Sequence, residues 1–587
     1  MLLSRAWPQR AAAHLAAWAP FLYGLVKSLA SGWVATADNS VIALRSLDVL
    51  TNHGPLVGQA TRLGSGVFDL GPVEYWLLTL PVHLDAAHGV LWGATLWCMV
   101  AASLTVEAAW AVGGVFAALA GGAVVVGLTW WIPDLTVEPC WNPWLGLMFF
   151  IAALAAGWAV MSGRRGWWAA AVVSASIAAQ AHLMFAIAVV PVVVVVFAIG
   201  LADTVRAKAG YWWAIAGVIA GIACWAAPLA EQFTAKPGNM TALFSPHGPT
   251  VPKAGADFGL KAISAATQPP AYWWQGMDSL GKLSYVWGRS AVGGDIALAI
   301  IAVSLVAATV WLRSRRAAGL AALSLILAGA ALITYASIPV AEISATTVTI
   351  DNLRYLLAPL YPLGVLTWLT VVTVAVLAAR QVMGRARTPA DAGGTTTGGT
   401  TTGGTTISAA GPGLAYPGMP ISAFVAGALV VSAILAGPIG NAGAIATPVM
   451  LEVMHEVGGV AEQIEHKIPP QRVALKVVTP DNHIRRQLTF GIAYALRADG
   501  YWPKISKSWS IQLGDRYWYQ GERKERIPLA EVWVKPSTLA VKVMKHPPPG
   551  TWAGLASSQP PAAWNAASIS PQKPMTPGPL NCRITGQ

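Results

Sequence analysis

The sequence predicts a mainly α, polytopic membrane protein: a helical bundle of about eleven transmembrane helices, followed by a small extracytoplasmic α/β domain at the C-terminal end. Three observations predict it. Of 587 residues, 55% are hydrophobic and 11% charged, less than half the usual charged share of about 25%, so the chain has too little polar surface to fold around an aqueous exterior. Apolar runs of about 18 or more residues, each able to cross a hydrocarbon core of about 30 Å as a helix, recur as far as about residue 440 and then stop. Basic residues gather at alternate ends of those runs.

The expected spans are 12–36, 88–108, 110–131, 143–161, 167–183, 185–203, 211–230, 293–312, 318–338, 354–379 and 418–440. Arg5 and Arg10, Arg164 and Arg165, Arg206 and Lys208, Arg313 with Arg315 and Arg316, and Arg380 with Arg385 and Arg387 mark the cytoplasmic ends by the positive-inside rule. The N-terminus is then inside and the C-terminal domain outside, on the periplasmic face of the cytoplasmic membrane. The net charge of +12 is explained largely by these clusters, without a nucleic-acid partner. Between the second and third spans, Glu107 to Gly113 carry no basic anchor. Ala35-Thr36-Ala37 has the small residues of a signal-cleavage site, but the preceding apolar stretch is too long and Lys27 interrupts it, so the first span is expected to stay.

Four outer segments are more than turns: 37–87, 132–142, 231–292 and 339–353. In the first, Val41 to Leu50 is amphipathic, and Gly71-Pro72-Val73-Glu74-Tyr75-Trp76 begins with a proline suited to a helix start. Both read as helices lying on the membrane surface. Segment 388–417, with its Gly/Thr repeat over 393–406, reads as a flexible cytoplasmic linker. Residues 441–545 form the outer domain, with strands expected at 472–479, 511–513 and 530–534, a helix at 484–497 and a stop at Gly500. Residues 546–587 are a Pro-rich tail. Cys98 and Cys224 fall in apolar runs; Cys140 and Cys582 both fall outside, where an oxidising compartment permits but does not require a disulfide.

Candidate chemistry starts at Asp38, directly after the first span. A carboxylate there suits a general base acting at headgroup depth, and it equally suits a cap for the helix that follows. Asp69 is a second acid, or a cap for the helix after Gly71. Arg45, Arg62 and Arg354 are candidate phosphate clamps, because a guanidinium grips two phosphate oxygens at once; snorkelling to lipid headgroups also accounts for Arg354, beside Tyr355. Trp141 and Asn142 lie in a short outer turn where indole either stacks on a sugar or anchors the membrane. Gln180 and His182 sit where two apolar helices meet, with helix-to-helix hydrogen bonding as the alternative to substrate contact. Asn39, His53 and Glu74 complete the donor-binding candidates. The chain has no complete Gly-x-x-x-x-Gly-Lys-Ser/Thr loop, since Gly276-Met277-Asp278-Ser279-Leu280-Gly281-Lys282 is followed by Leu283, and no paired Cys-x-x-Cys or His-Glu-x-x-His, so ATP-driven transport and zinc hydrolysis lose support.

The run Asp38-Asn39-Ser40-Val41-Ile42-Ala43-Leu44-Arg45, then His53-Gly54-Pro55-Leu56-Val57-Gly58-Gln59 and Arg62, then Gly71-Pro72-Val73-Glu74-Tyr75-Trp76-Leu77-Leu78, resembles the first outer loop of GT-C glycosyltransferases. The resemblance is nearest to polyprenyl-phosphate-dependent enzymes of actinobacterial envelopes, including mycobacterial arabinofuranosyltransferases. It implies an inverting transfer from a polyprenyl-phosphate sugar, with decaprenyl-phosphate arabinofuranose suggested as donor, to an envelope polysaccharide, with the acid after the first span as catalytic centre. Two departures stand out. Asn39 occupies the place where many members carry a second acid, which puts two-carboxylate binding of a divalent cation in doubt and leaves the metal requirement open. Asp69-Leu70-Gly71-Pro72 stands where related loops carry His-Pro-Gly-Pro. The C-terminal domain is expected to hold a polymeric acceptor through Trp502, Trp509, Tyr517, Trp518 and Tyr519, unless those rings are core. The rival readings are a transporter or flippase of lipid-linked sugar and a non-catalytic assembly partner.

Overall fold

The computed structural model describes residues 3–61, 66–245, 252–269, 271, 286, 288–340, 354–386, 448–479, 482–506, 510, 512–513, 515–518, 527–535 and 538–547. In chain order its helices are α1 Leu3–Ala30, α2 Ala37–Asp48, α3 Val73–Leu84, α4 Gly89–Trp131, α5 Asp134–Val137, α6 Asn142–Met161, α7 Trp168–Ala181 and α8 Leu183–Ala207. Then follow α9 Tyr211–Thr234, α10 Asn239–Phe244, α11 Gly255–Thr267, α12 Ala291–Val306, α13 Arg315–Ala336, α14 Leu360–Ala386, α15 Pro448–Glu465 and α16 Asn482–Ala498. The strands are β1 Arg472–Val478, β2 Trp502–Lys504, β3 Leu529–Lys535 and β4 Thr538–Met544.

Among the described residues, seven helical segments are long and apolar enough to cross a membrane: Gly89–Trp131, Asn142–Met161, Leu183–Ala207, Tyr211–Thr234, Ala291–Trp311, Arg315–Ala336 and Tyr355–Met383. The protein is thus mostly helical with a small sheet, as in a helical membrane protein. Two expected spans run together in α4, whose 43 residues would measure about 65 Å if straight, twice a bilayer core. The helix is instead broken at Gly114, which takes φ 67° and ψ −149°, a conformation open to glycine alone. A Cβ on Gly121 would lie 3.3 Å from that of Ala109, so the two halves fold back against each other. α1 is long enough to span, but His14, Pro20 and Lys27 dilute its apolar run. At 14 residues, α7 is short. The expected span 418–440 and the Gly/Thr linker lie outside the described residues.

Basic residues mark one end of the bundle. There Asp203 on α8 is bound by Arg165 at 2.9 Å and by Arg315 at 2.7 Å, and Glu107 is bound by Arg10 and, at 2.6 Å, by His14. The opposite end carries α2, α3 and the C-terminal domain. Part of the expected outer loop 231–292 is not a loop at all: α11 is buried among α12, α13 and α14, and the Trp368 Nε1–H of α14 donates to the Thr267 carbonyl at 3.0 Å.

α3 is a helix as expected, and leaves Trp76, Leu80 and Leu84 exposed four residues apart, an apolar stripe along one face. α2 does not lie on a surface. It is covered on both sides, by α3 and by α16 of the C-terminal domain, and Val41, Ile42 and Leu44 share one apolar cluster with Val457, Leu488 and Ala493. The domain is a four-stranded sheet of order β2-β1-β3-β4, with β1 parallel to β2 and β3, and β3 antiparallel to β4. The β1–α16–β2 crossover ends at Gly500, whose φ of 87° stops α16. The described part of segment 511–513 is helical rather than a strand, while β2, β4 and α15 were not expected.

A buried charge cluster fastens the domain to α2. The fully buried Asp48 carboxylate accepts from Arg516 Nη1 at 2.6 Å and from the Tyr517 hydroxyl at 3.3 Å, and Arg45 Nη1 lies 3.5 Å away. Burial pushes the Asp48 carboxyl up, while Arg45 and Arg516 pull it down. Asp48→Ala should therefore cost about 3–5 kcal/mol, because it takes the counter-charge from two largely buried guanidinium groups. Thermal unfolding and limited proteolysis check this: the domain should be cut faster in the variant, and equal protection would show that the cluster does not hold it.

Candidate functional site

Asp38 lies in the first turn of α2, after Thr36 in extended conformation, where the helix dipole favours a carboxylate. Its Oδ2 accepts the Trp141 Nε1–H at 3.2 Å, and its Oδ1 is bound by Arg486 Nη2 from α16. The ion pair is partly buried, with side-chain exposures of 29% for Arg486 and 23% for Asp38. The Asp38 carbonyl accepts from Gln59 Nε2 at 3.4 Å. Trp141 precedes α6 and meets Trp144 edge-on at 5.1 Å and Tyr355 edge-on at 5.5 Å. Tyr355 in turn lies 5.0 Å from His182. Three chain segments that are remote in sequence thus put an indole, a phenol and an imidazole in one chain of contacts starting at Asp38.

A second network surrounds Asp69. The loop before α3 is closed by an antiparallel bridge between Ala60 and Phe68, and the Asn239 side chain pairs with the Phe68 backbone through bonds of 2.9 and 3.0 Å. This aims the Asp69 side chain inward. Its Oδ1 accepts the Leu183 N–H at 2.9 Å and its Oδ2 accepts from Asn142 Nδ2 at 3.2 Å. Asp69 therefore binds the first turn of α8; α3, the helix that follows it in sequence, begins at Pro72 without a side-chain cap. Asn142 also donates to the Ala181 carbonyl at 2.9 Å. A Cβ on Gly71 would fall 2.0 Å from Gln180 Oε1, so glycine is what lets the loop pass this side chain. Gln180 Nε2 donates to the Cys224 carbonyl at 2.8 Å.

Burial sets the charge on the acids. The Asp69 carboxyl is pushed up to about 8 by burial; the Leu183 N–H opposes this, the charge of Asp38 adds to it, and Asn142 opposes it again. Glu74 on α3 is raised well above the usual range by burial, then by Asp69 and Asp38. Its Oε1 is buried without a hydrogen-bond partner among the described residues. Burial thus favours the protonated form of both acids.

The other candidates are placed as follows. Asn39 is buried with its Oδ1 unpartnered among the described residues. Arg45 donates to the Leu513 carbonyl at 2.7 Å and belongs to the Asp48 cluster. His53 sits in an exposed turn, its backbone N–H donating to Thr51 Oγ1 at 3.1 Å. Arg62 lies outside the described residues, as does the side chain of Arg354. Cys140 is a buried free thiol, and Cys582 lies outside the described residues. Among the described residues no three His, Cys, Asp or Glu side chains are grouped to hold a metal ion.

In the C-terminal domain, Tyr517 is core and Trp502 is sandwiched between Arg497 at 4.0 Å and Arg516 at 3.8 Å. Trp518 is partly buried; Trp509 and Tyr519 lie outside the described residues. Three contributors were not singled out from sequence: Arg486, Asn239 and Asp48. The only signal for Asp48 was Arg45 three residues earlier, and for Asn239 its place after Pro237-Gly238. Nothing local marks Arg486, which meets Asp38 across 448 positions.

An acid whose pKa is higher folded than unfolded stabilises the fold fully below its unfolded value, about 4, and loses that contribution as pH rises through the folded value. For Asp69 the window is about pH 4 to 8. Asp69→Asn should flatten the decline of unfolding temperature across that window, measured by thermal scans in detergent. An unchanged slope would mean that the carboxyl titrates normally.

No family model, no curated protein and no solved structure matches the chain.

Proposed function

We propose that the protein is an inverting glycosyltransferase that moves a sugar from a polyprenyl-phosphate donor to a cell-envelope glycan at the outer face of the cytoplasmic membrane. D-arabinofuranose as the sugar follows from the resemblance of the first outer loop. In this reading the chain crosses the membrane about eleven times, with the Arg165, Arg315 and Arg10 end inside and the C-terminal domain in the periplasm. The observation that carries the proposal is the setting of Asp38: a partly buried carboxylate in a helix first turn, in contact with Trp141 and, through it, with Tyr355 and His182.

The chemistry asks little of the protein. An acceptor hydroxyl oxygen attacks the anomeric carbon as the bond from that carbon to the phosphate oxygen breaks. The electron pair leaves with the lipid phosphate, and Asp38 takes the hydroxyl proton. Phosphate is a good leaving group, so orientation and a cation near the developing charge do most of the rest. The aromatic side chains supply an apolar face for a sugar ring. Burial favours the protonated forms of Asp69 and Glu74, which limits the negative charge that would repel the departing phosphate.

Purified protein incubated with a synthetic polyprenyl-phosphate sugar and an oligosaccharide acceptor should form product. Asp38→Asn should lower the rate by about 10²–10⁴-fold with a near-unchanged unfolding temperature. Movement of the lipid-linked sugar across a vesicle wall without transfer would replace this reading with that of a flippase.

A further inference from the structure

The nearest cation to Asp38 among the described residues comes from the C-terminal domain. Arg486 Nη2 binds Asp38 Oδ1, while its Nε is buried with no partner among the described residues. One face of this guanidinium is therefore engaged and a further donor is held in reserve. Of the loop arginines, Arg45 is committed to the Leu513 carbonyl and the Asp48 cluster. Asp38 needs an oxygen open to a hydroxyl if it is to take a proton, and Arg486 occupies one of the two.

We propose that Arg486 is a phosphate-binding residue: the guanidinium that rests on Asp38 moves to the phosphate of an incoming polyprenyl-phosphate donor and in doing so frees the carboxylate. The inference rests on the reading of Asp38 given above and extends it, since the site is then built from both the bundle and the C-terminal domain. The geometry permits the exchange. The Asp38–Arg486 pair is partly exposed, so opening it exchanges one set of charge-assisted bonds for another without stranding a charge in a dry interior. Asp48 is fully buried and Arg516 only 12% exposed, and this pair keeps the C-terminal domain seated on α2 during the change. Two phosphate oxygens accept the Nε–H and one Nη–H side by side, the two-pronged grip a guanidinium makes best.

The test measures equilibrium binding of sugar-free polyprenyl phosphate to the full-length protein in nanodiscs, and so does not depend on turnover. Arg486→Gln should weaken binding by about tenfold or more, the loss of at least one of these charge-assisted hydrogen bonds. Arg486→Lys should recover part of it. Asp38→Asn removes the competing carboxylate and should tighten binding several-fold, and the tightening should vanish in the Asp38→Asn, Arg486→Gln double variant. A merely structural Arg486 would not produce that coupling. Parallel arms with phosphatidylglycerol and with inorganic phosphate separate the sources: equal sensitivity to Arg486→Gln in the phosphatidylglycerol arm would make this a general headgroup contact and overturn the proposal. Binding of polyprenyl phosphate unchanged by Arg486→Gln, in a protein that still transfers sugar, would overturn it while leaving the glycosyltransferase reading intact. Absence of both binding and transfer in the unaltered protein would remove both.

Discussion

Two carboxylates on one twelve-residue helix, Asp38 and Asp48, each meet a guanidinium from the C-terminal domain, and the site depends on how differently those two pairs are solvated. Asp48 is fully buried and Arg516 keeps only 12% of its side-chain surface in solvent. Breaking such a pair leaves a charge without water or partner, so it acts as a fixed joint. Asp38 and Arg486 keep roughly a quarter of their side-chain surface in solvent. An ion pair of that kind contributes little net stability and can exchange partners. Ten positions along α2 thus separate an anchor from a movable contact.

The same contrast in solvation sorts the three acids near the site. Asp38 has a guanidinium and an indole N–H as donors and stays partly wet. Asp69 has two good donors, yet its complete burial outweighs them and raises its carboxyl to about 8. Glu74 is buried still less favourably, with one oxygen unpartnered among the described residues. A partly solvated carboxylate beside two whose burial favours the protonated form is an arrangement in which a base works with little repulsion between its neighbours and an anionic lipid phosphate. Burial depth, set by how the loop 58–69 is pinned to Asn239 and by Gly71 passing Gln180, divides these roles.

Much of the helical framework was legible because it depends on local composition. Apolar runs locate the long helices, and the turn expected within Glu107 to Gly113, although without a basic anchor, lies close to the break at Gly114. The amphipathic pattern of 484–497 gave α16, and Gly500 its end. Contacts between distant segments were not legible. Asp38 and Trp141 were both candidates, yet nothing in either segment states that an indole 103 positions away donates to that carboxylate. Asp69 suggested a cap for the helix beside it and instead binds α8, because a helix N-terminus offers the same N–H groups whatever its sequence distance. α2 looked like a surface helix for a related reason: its second face is covered by a domain whose sequence begins some four hundred residues later. The short β2 and the β4 edge strand carry too few residues for a periodic signal.

The apolar seam between α2 and the domain decides whether the Asp38–Arg486 contact is free to change. Val41, Ile42 and Leu44 are fully buried in the cluster they share with Val457, Leu488 and Ala493, and burial of each such large side chain contributes about 1.5–3 kcal/mol. A partly exposed ion pair contributes about 0–1 kcal/mol. Attachment of the domain therefore rests on the seam and on Asp48, not on Arg486. If the ion pair were the main attachment, moving Arg486 to a ligand would release the domain and dismantle the site; because it is a small term, the guanidinium can change partner while α16 stays where it is.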